Sequence, residues 1–207
     1  FRGDLGQSIF LNIPVSDALL QRAEPTFFLT IFSLLIATAI ALPVGISSAY
    51  LRGTAYDQAM TTLSMVAASV PSFWLALILM QTFAVKLGWF DTSGYGGPGA
   101  SFAERMHHLV LPAFSLGLVS SALITRFTRA SMLDVLNDDY VRTARSKGMS
   151  EWRVVLRHAL KNALIPILTV VGLTAALLIS GAIVTETVFG LPGVGSLIVS
   201  AGKEIGR

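Results

Sequence analysis

The stretch PTFFLTIFSLLIATAIALPVGISSAYL, residues 25–51, contains no Asp, Glu, Lys or Arg and lies between Glu24 and Arg52. A helix rises 1.5 Å per residue, so about 20 apolar residues cross the ~30 Å hydrocarbon core of a bilayer. Three more charge-free runs follow: 58–85 between Asp57 and Lys86, 109–125 between His108 and Arg126, and 162–185 between Lys161 and Glu186. The first, second and fourth runs exceed the required length. The 109–125 run falls slightly short of it, but its flanking histidines could sit among headgroups. One apolar run could be the buried helix of a soluble protein. Four in 207 residues predict an all-α integral membrane protein, a multi-span helix bundle with spans at about 26–50, 61–85, 109–125 and 162–185.

Composition points the same way. Charged residues make up 13% of the chain and hydrophobic residues 53%, against about 25% charged in soluble domains, and the mean hydropathy is +0.69. This excludes a free-standing soluble enzyme, and also disorder, which needs low hydrophobicity and high net charge. A net charge of +3 is no nucleic-acid footprint by itself, and no nucleic-acid partner is expected. The absence of cysteine removes disulfides, thiolate metal sites and a cysteine nucleophile. Gly202-Lys203 precedes Glu204, and Leu197 stands where a phosphate-binding loop needs glycine, so this chain is not expected to hydrolyse ATP. Glu104, His107 and His108 form the one metal-like group, without a firm third ligand or a base. They read as interfacial polar residues, and no catalytic, cofactor-binding or metal-binding residue is expected.

No Asp, Glu, Lys, Arg or His lies inside the four runs, so proton relays and voltage sensing at membrane depth are not expected of these spans alone. Each run has an interior proline, Pro43, Pro71, Pro112 or Pro166. These are possible helix hinges, because proline deletes a backbone bond and kinks the helix. Small residues recur four apart: Ser33, Ala37, Ala41, Gly45 and Ala49; Ser64, Ala68, Ser72 and Ala76; Gly117, Ser121 and Thr125; Gly172, Ala176 and Ser180. Such rows predict faces where helices pack closely, in this chain or against a second copy or sister subunit.

The 126–161 segment holds eight of the fifteen basic residues, and the 86–108 segment only Lys86 and Arg105. Excess Lys and Arg marks the cytoplasmic side. Loop 126–161 is therefore expected inside, and loops 86–108 and 186–207 outside with the external segment 1–24. Both ends then fall outside, which fits a chain lacking a span at each end. Trp89 and Phe90 suit an interfacial belt, and the glycine-rich run 93–99 suits a non-catalytic turn. Glu186 reads as a vestibule or boundary residue.

Residues 138–161 read as two short helices broken at Gly148. Asp138 or Asp139 would cap the first and Ser150 the second. Trp152, Val155, Leu156 and Ala159 share one face of the second, with Arg153 and Arg157 on another. A basic amphipathic pair of this kind can lie on anionic lipid or dock into a partner.

The pattern Tyr140-Val141-Arg142-Thr143-Ala144-Arg145-x-Lys147-Gly148, followed by His158-Ala159-Leu160-x-Asn162-Ala163-Leu164-x-Pro166, resembles the cytoplasmic signature loop of ABC importer permeases. The resemblance is closest to the dipeptide, oligopeptide and nickel branch, which includes glutathione importers. Gly3-Asp4-Leu5-Gly6-x-Ser8 with Pro14-Val15, and Glu186-Thr187-Val188-Phe189-Gly190-Leu191-Pro192-Gly193-Val194-Gly195, resemble that branch's outer segments. Arg142-Thr143 replaces the leading Glu-Ala of the general signature, and Pro166 comes later than its distal proline. Both departures are usual for the peptide branch.

The resemblance implies a transmembrane domain at 25–207, six spans in the full protein, and a permease subunit of an ATP-driven importer in a bacterial inner membrane. The implied partners are a homologous second permease, two cytoplasmic ABC ATPases that carry the ATP and Mg, an external solute-binding protein, and lipid. Short peptides are the implied cargo, with nickel, glutathione or another small solute as alternatives; a stand-alone channel or secondary transporter is the alternative of another class. Asp139, Tyr140, Arg142, Thr143, Ala144, Lys147, Gly148, Met149 and Trp152 are the implied ATPase-coupling residues.

Overall fold

The computed structural model describes residues 6–7, 13–97 and 99–205. Gly3, Asp4, Leu5 and Ser8 of the outer motif, and Pro98 of the glycine-rich run, lie outside the described residues. Among those described, helices α1 (Val15–Tyr50), α2 (Ala55–Ser69), α3 (Ser72–Lys86), α4 (Phe102–Leu136), α5 (Asp139–Ser146), α6 (Glu151–Val188) and α7 (Val194–Ile205) follow in order. One isolated bridge joins Gln7 to Pro14.

Helices α1, α4 and α6, at 36, 35 and 38 residues, are long and apolar enough to cross a membrane. Each is about 55 Å long, well beyond the hydrocarbon thickness, so they overrun the charge-free runs. Helix α4 continues past Arg126 to Leu136, α6 starts at Glu151, and the expected 126–161 loop shrinks to residues 137–150 around α5. The 61–85 span is broken. Together α2 and α3 have the apolar length of a span, but they meet at 95°. Val70 is extended (φ −81, ψ 124), the conformation toward which Pro71 biases its predecessor. Helices α1, α4 and α6 run on through Pro43, Pro112 and Pro166.

The chain forms two compact units. One takes in the described residues up to Ser33, Ser72–Leu116 and those from Leu177 onward; the other comprises Leu34–Pro71 and Gly117–Ala176. In the second unit, Ala49, Met132, Val155, Ala159, Ala163 and Ile167 form one buried cluster, and Ala37, Ala41, Ile124 and Val170 another. In the first, Leu29, Leu109, Phe189 and Leu191 are buried, and Phe28 meets Phe102 edge-on at 5.5 Å.

The small-residue rows divide. Those of α1 and α4 face inward throughout. In the second run Ser64 and Ala76 are buried but Ala68 is exposed, because the bend interrupts the row. On α6 the expected packing row, Gly172, Ala176 and Ser180, is exposed. The buried face is Ala163, Ile167, Val170, Thr174 and Leu178, so bulkier residues fill this chain's interior and the small row is left outside.

Gly45 shows what close approach requires. A Cβ there would lie 2.7 Å from Thr128 Cβ and 2.9 Å from the Thr125 carbonyl oxygen, whereas one at Gly172 would meet nothing within 4 Å. Gly45→Val is expected to destabilise the isolated permease in detergent by about 1–3 kcal/mol, as overpacking does, and Gly172→Val to leave its melting temperature nearly unchanged. Thermal unfolding of both variants checks this.

Candidate functional site

The α5–α6 elbow is built from few contacts. Asp138, extended at φ −66 and ψ 148, occupies the cap position of α5, and Ser150 that of α6; neither side chain makes a capping bond. Along α5, Val141 and Ala144 fall three apart on one face. They are buried against Val154, with Val135, Leu136 and Met149 packed around them. The other face carries Tyr140, Arg142, Thr143, Arg145 and Lys147, all exposed. Gly148 ends the helix at φ +74, the left-handed conformation glycine adopts without strain. Its N–H donates to the Arg145 carbonyl at 2.9 Å. Asn162 Nδ2 donates to the Tyr140 hydroxyl at 2.7 Å, and Arg145 pairs with Glu151 at 3.1 Å, so α5 is tied to α6 on both sides of the break. From Val154 to Ala159 the α6 backbone widens into a π-helical turn that buries Val154, Val155 and Ala159; such turns are frequent at functional sites.

The nine coupling residues inferred from sequence thus separate. Asp139, Tyr140, Arg142, Thr143, Lys147, Gly148 and Trp152 are exposed, Met149 is half-buried and Ala144 is buried. Ala144 seats α5 and is not presented at the surface. Of the four prolines, Pro71 stands at the bend and Pro112 is buried, while Pro43 and Pro166 are exposed within continuous helices.

Two polar anchors escaped the sequence reading. In the second unit, Asp57 on α2 accepts from Arg129 of α4 through Nε at 2.6 Å and Nη2 at 2.8 Å. It also accepts from the Ser48 hydroxyl and from the Gly53 N–H at 3.0 Å. The forked geometry is the strong form of this pairing. Asp57 is 5% exposed and Arg129 27%. Nothing in one sequence links residues 72 positions apart; the only signal was an acid bounding an apolar run.

In the first unit Glu186 is buried, neither lining a vestibule nor standing at an open boundary. It accepts from the Thr26 hydroxyl and, at 3.0 Å, from the Ser196 N–H. Thr26 Oγ1 in turn accepts from the Val194 N–H at 3.0 Å. An acid at the start of α7 meets unpaired N–H groups and the positive end of the helix dipole. Gly193 and Gly195 are needed for this closeness. A Cβ at Gly193 would run into the Glu186 carboxylate, and one at Gly195 would lie 2.6 Å from Ile183 Cα.

The outer polar residues have structural partners. Ser101 and Glu104 cap the start of α4 reciprocally, at 2.7 and 3.3 Å, a capping box. That turns Glu104 to the backbone; among the described residues no group of three His, Asp or Glu could hold a metal ion. His108 lies 3.4 Å from Asp91, and His107 stacks on Phe90. Arg105 pairs with Glu24 at 2.7 Å, and Tyr95 donates to Glu24 at 3.2 Å. Burial, then the Glu24 charge, push the Tyr95 phenol up to about 12.

Among the described residues, membrane-length apolar helices with an exposed amphipathic elbow between two of them define a helical membrane domain. Residues 41–205 match the family of binding-protein-dependent transport system inner membrane components, and the chain belongs to that family. It is 41% identical over 98% of its length to a probable peptide ABC transporter permease of Sinorhizobium fredii, covering 65% of that protein. It is 42% identical over 97% of its length to the oligopeptide transport system permease AppB of Bacillus subtilis, covering 64%. It is likewise 42% identical over 97% of its length to a glutathione transport system permease of Salmonella choleraesuis, covering 63%. The chain therefore spans just under two thirds of these relatives. Its fold matches the inward-facing MetNI methionine ABC transporter, with a TM-score of 0.73 at 18% identity over 90% of this chain and 81% of that one. It also matches an amino acid ABC transporter, with a TM-score of 0.64 at 15% identity over 93% and 81%.

Asp57→Asn is expected to destabilise the protein by about 3 kcal/mol, the lower end for breaking a buried pair, because Arg129 keeps partial access to water. Arg129→Lys, which keeps the charge and loses the fork, is expected to cost less. Denaturation of the two variants side by side checks the order.

Proposed function

We propose that this chain is the transmembrane part of a permease subunit in an ATP-driven importer of short peptides, supplied by an external binding protein. It would act beside a second permease and two cytoplasmic ATPases, and it holds no cofactor itself. The observation that carries this reading is the elbow. Helix α5 rests on only Val141 and Ala144, is tied to α6 by Tyr140–Asn162, and presents a polar face that no other part of the second unit covers. A partner gripping that face would move the ends of α4 and α6 with it, and ATP would act by favouring the arrangement in which the grip is tighter. The peptide assignment draws on the relatives, two of which are named for peptides or oligopeptides. The exposed Gly172, Ala176 and Ser180 row gives the second permease a surface it could approach closely.

Gly148→Val tests the role of the elbow. A Cβ at Gly148 meets nothing within 4 Å, so the substitution acts only through backbone strain at φ +74, where a β-branched residue is a genuine outlier. In proteoliposomes holding the full transporter, ATP hydrolysis is expected to persist while peptide uptake falls at least tenfold. Uptake equal to wild type at equal assembly would refute the coupling role. Uptake that survives without ATPase subunits, driven by a membrane potential, would refute the importer reading.

A further inference from the structure

We propose that the cavity where α1, α2 and α4 meet in the second unit binds the phosphate of an anionic phospholipid. The cavity holds about 360 Å³ and is lined by Ser64 and Met65 of α2 and by Thr125, Arg126, Phe127 and Arg129 of α4, with Ser48 contributed by α1.

Its charged donors are the arginines, beside the neutral hydroxyl of Thr125. Ser64 gives its proton to the Met60 carbonyl at 2.8 Å, and Ser48 gives its own to Asp57, so these hydroxyls offer only lone pairs to a ligand. A guanidinium has five N–H groups. Arg129 spends two on Asp57 and keeps three. Arg126 is exposed and makes no ion pair among the described residues. Because Asp57 balances Arg129, the site carries the one uncompensated positive charge of Arg126.

The rim is apolar: Met65 is 53% exposed and Phe127 48%, with Leu63 at 60% and Val66 at 55% nearby on α2. Forked cationic donors suit a phosphate, and an apolar rim suits acyl chains. A soluble anion would satisfy Arg126 and leave the rim bare. The charge bias of the chain puts Arg126 at the cytoplasmic ends of the helices, where basic pockets between transmembrane helices take acidic headgroups. This does not depend on what the protein transports.

The test uses the full-length permease in nanodiscs of mixed phosphatidylglycerol and phosphatidylcholine, with retained lipid counted by native mass spectrometry. Wild type is expected to retain phosphatidylglycerol in preference to phosphatidylcholine. Arg126→Gln, at an exposed position, is expected to lose that preference several-fold with an unchanged melting temperature, and Arg157→Gln, on α6 and outside the cavity, to keep it. Equal retention in wild type and Arg126→Gln would overturn the proposal. So would an equal loss in Arg157→Gln, which would indicate plain surface attraction. Displacement of the lipid by millimolar inorganic phosphate would make a soluble anion the ligand, and displacement by a short peptide would make the cavity part of the transport path; either would overturn the lipid assignment.

Discussion

A carboxylate withdrawn from water beside a bilayer has to be met by donors, since an unpaired charge there costs several kcal/mol. Each compact unit is tied together by one such group. Asp57 collects donors from the end of α1, the turn at Gly53 and α4. Glu186 collects them from Thr26 of α1 and from the start of α7. Apolar contact between helices is non-directional, and in lipid it has little hydrophobic drive. Directional bonds to a carboxylate fix the register of helix ends that apolar packing would let slide. The glycines follow from the same demand: Gly193 and Gly195 have no side chain because the backbone of the α7 turn must close over Glu186.

Against those anchors the elbow is lightly held. Helix α5 has eight residues, too few to be stable alone. Its two buried side chains and the Tyr140–Asn162 bond therefore do most of the ordering, and the exposed Arg145–Glu151 pair adds little. On the proposed reading, a short helix held this way moves with α6, and residues 137–138 and Gly148 are its joints. Attachment on one side and a joint at each end are what the proposed lever arm requires.

The spans were legible in the sequence because apolar length is a bulk property that survives ignorance of the fold. Their ends were not. Counting stops at the first charge, whereas Arg126 and Arg129 are good helix formers and α4 carries on beyond them into an interfacial zone where charge is welcome. The break at Val70-Pro71 had a local signal, a β-branched residue before proline with Ser72 after it, yet prolines 43, 112 and 166 show that proline alone does not decide. That the α6 row faces away from this chain's interior was not legible, because spacing identifies a face without saying which way it points. The Asp57–Arg129 fork was invisible because pairing across 72 residues leaves no trace in a single sequence, and the role of Glu186 depends on a turn that brings Ser196 back to it.

The distribution of charge bears on where the energy for transport would enter. The charge-free runs hold no Asp, Glu, Lys, Arg or His, and the two buried carboxylates bound those runs and are each held by donors, one of them neutralised by Arg129. Shifting a proton or an ion through such a site would first require breaking its bonds, at a cost of about 3 kcal/mol or more. Chemical work within these spans is thus disfavoured, and mechanical work delivered at the helix ends is not. Helices of about 55 Å with roughly half their length outside the hydrocarbon carry displacement from an exposed end into the bilayer without a charge having to move there. On the proposed reading, the break at Val70-Pro71 is the place where such displacement can be absorbed without unpacking the clusters around Ile124 and Met132.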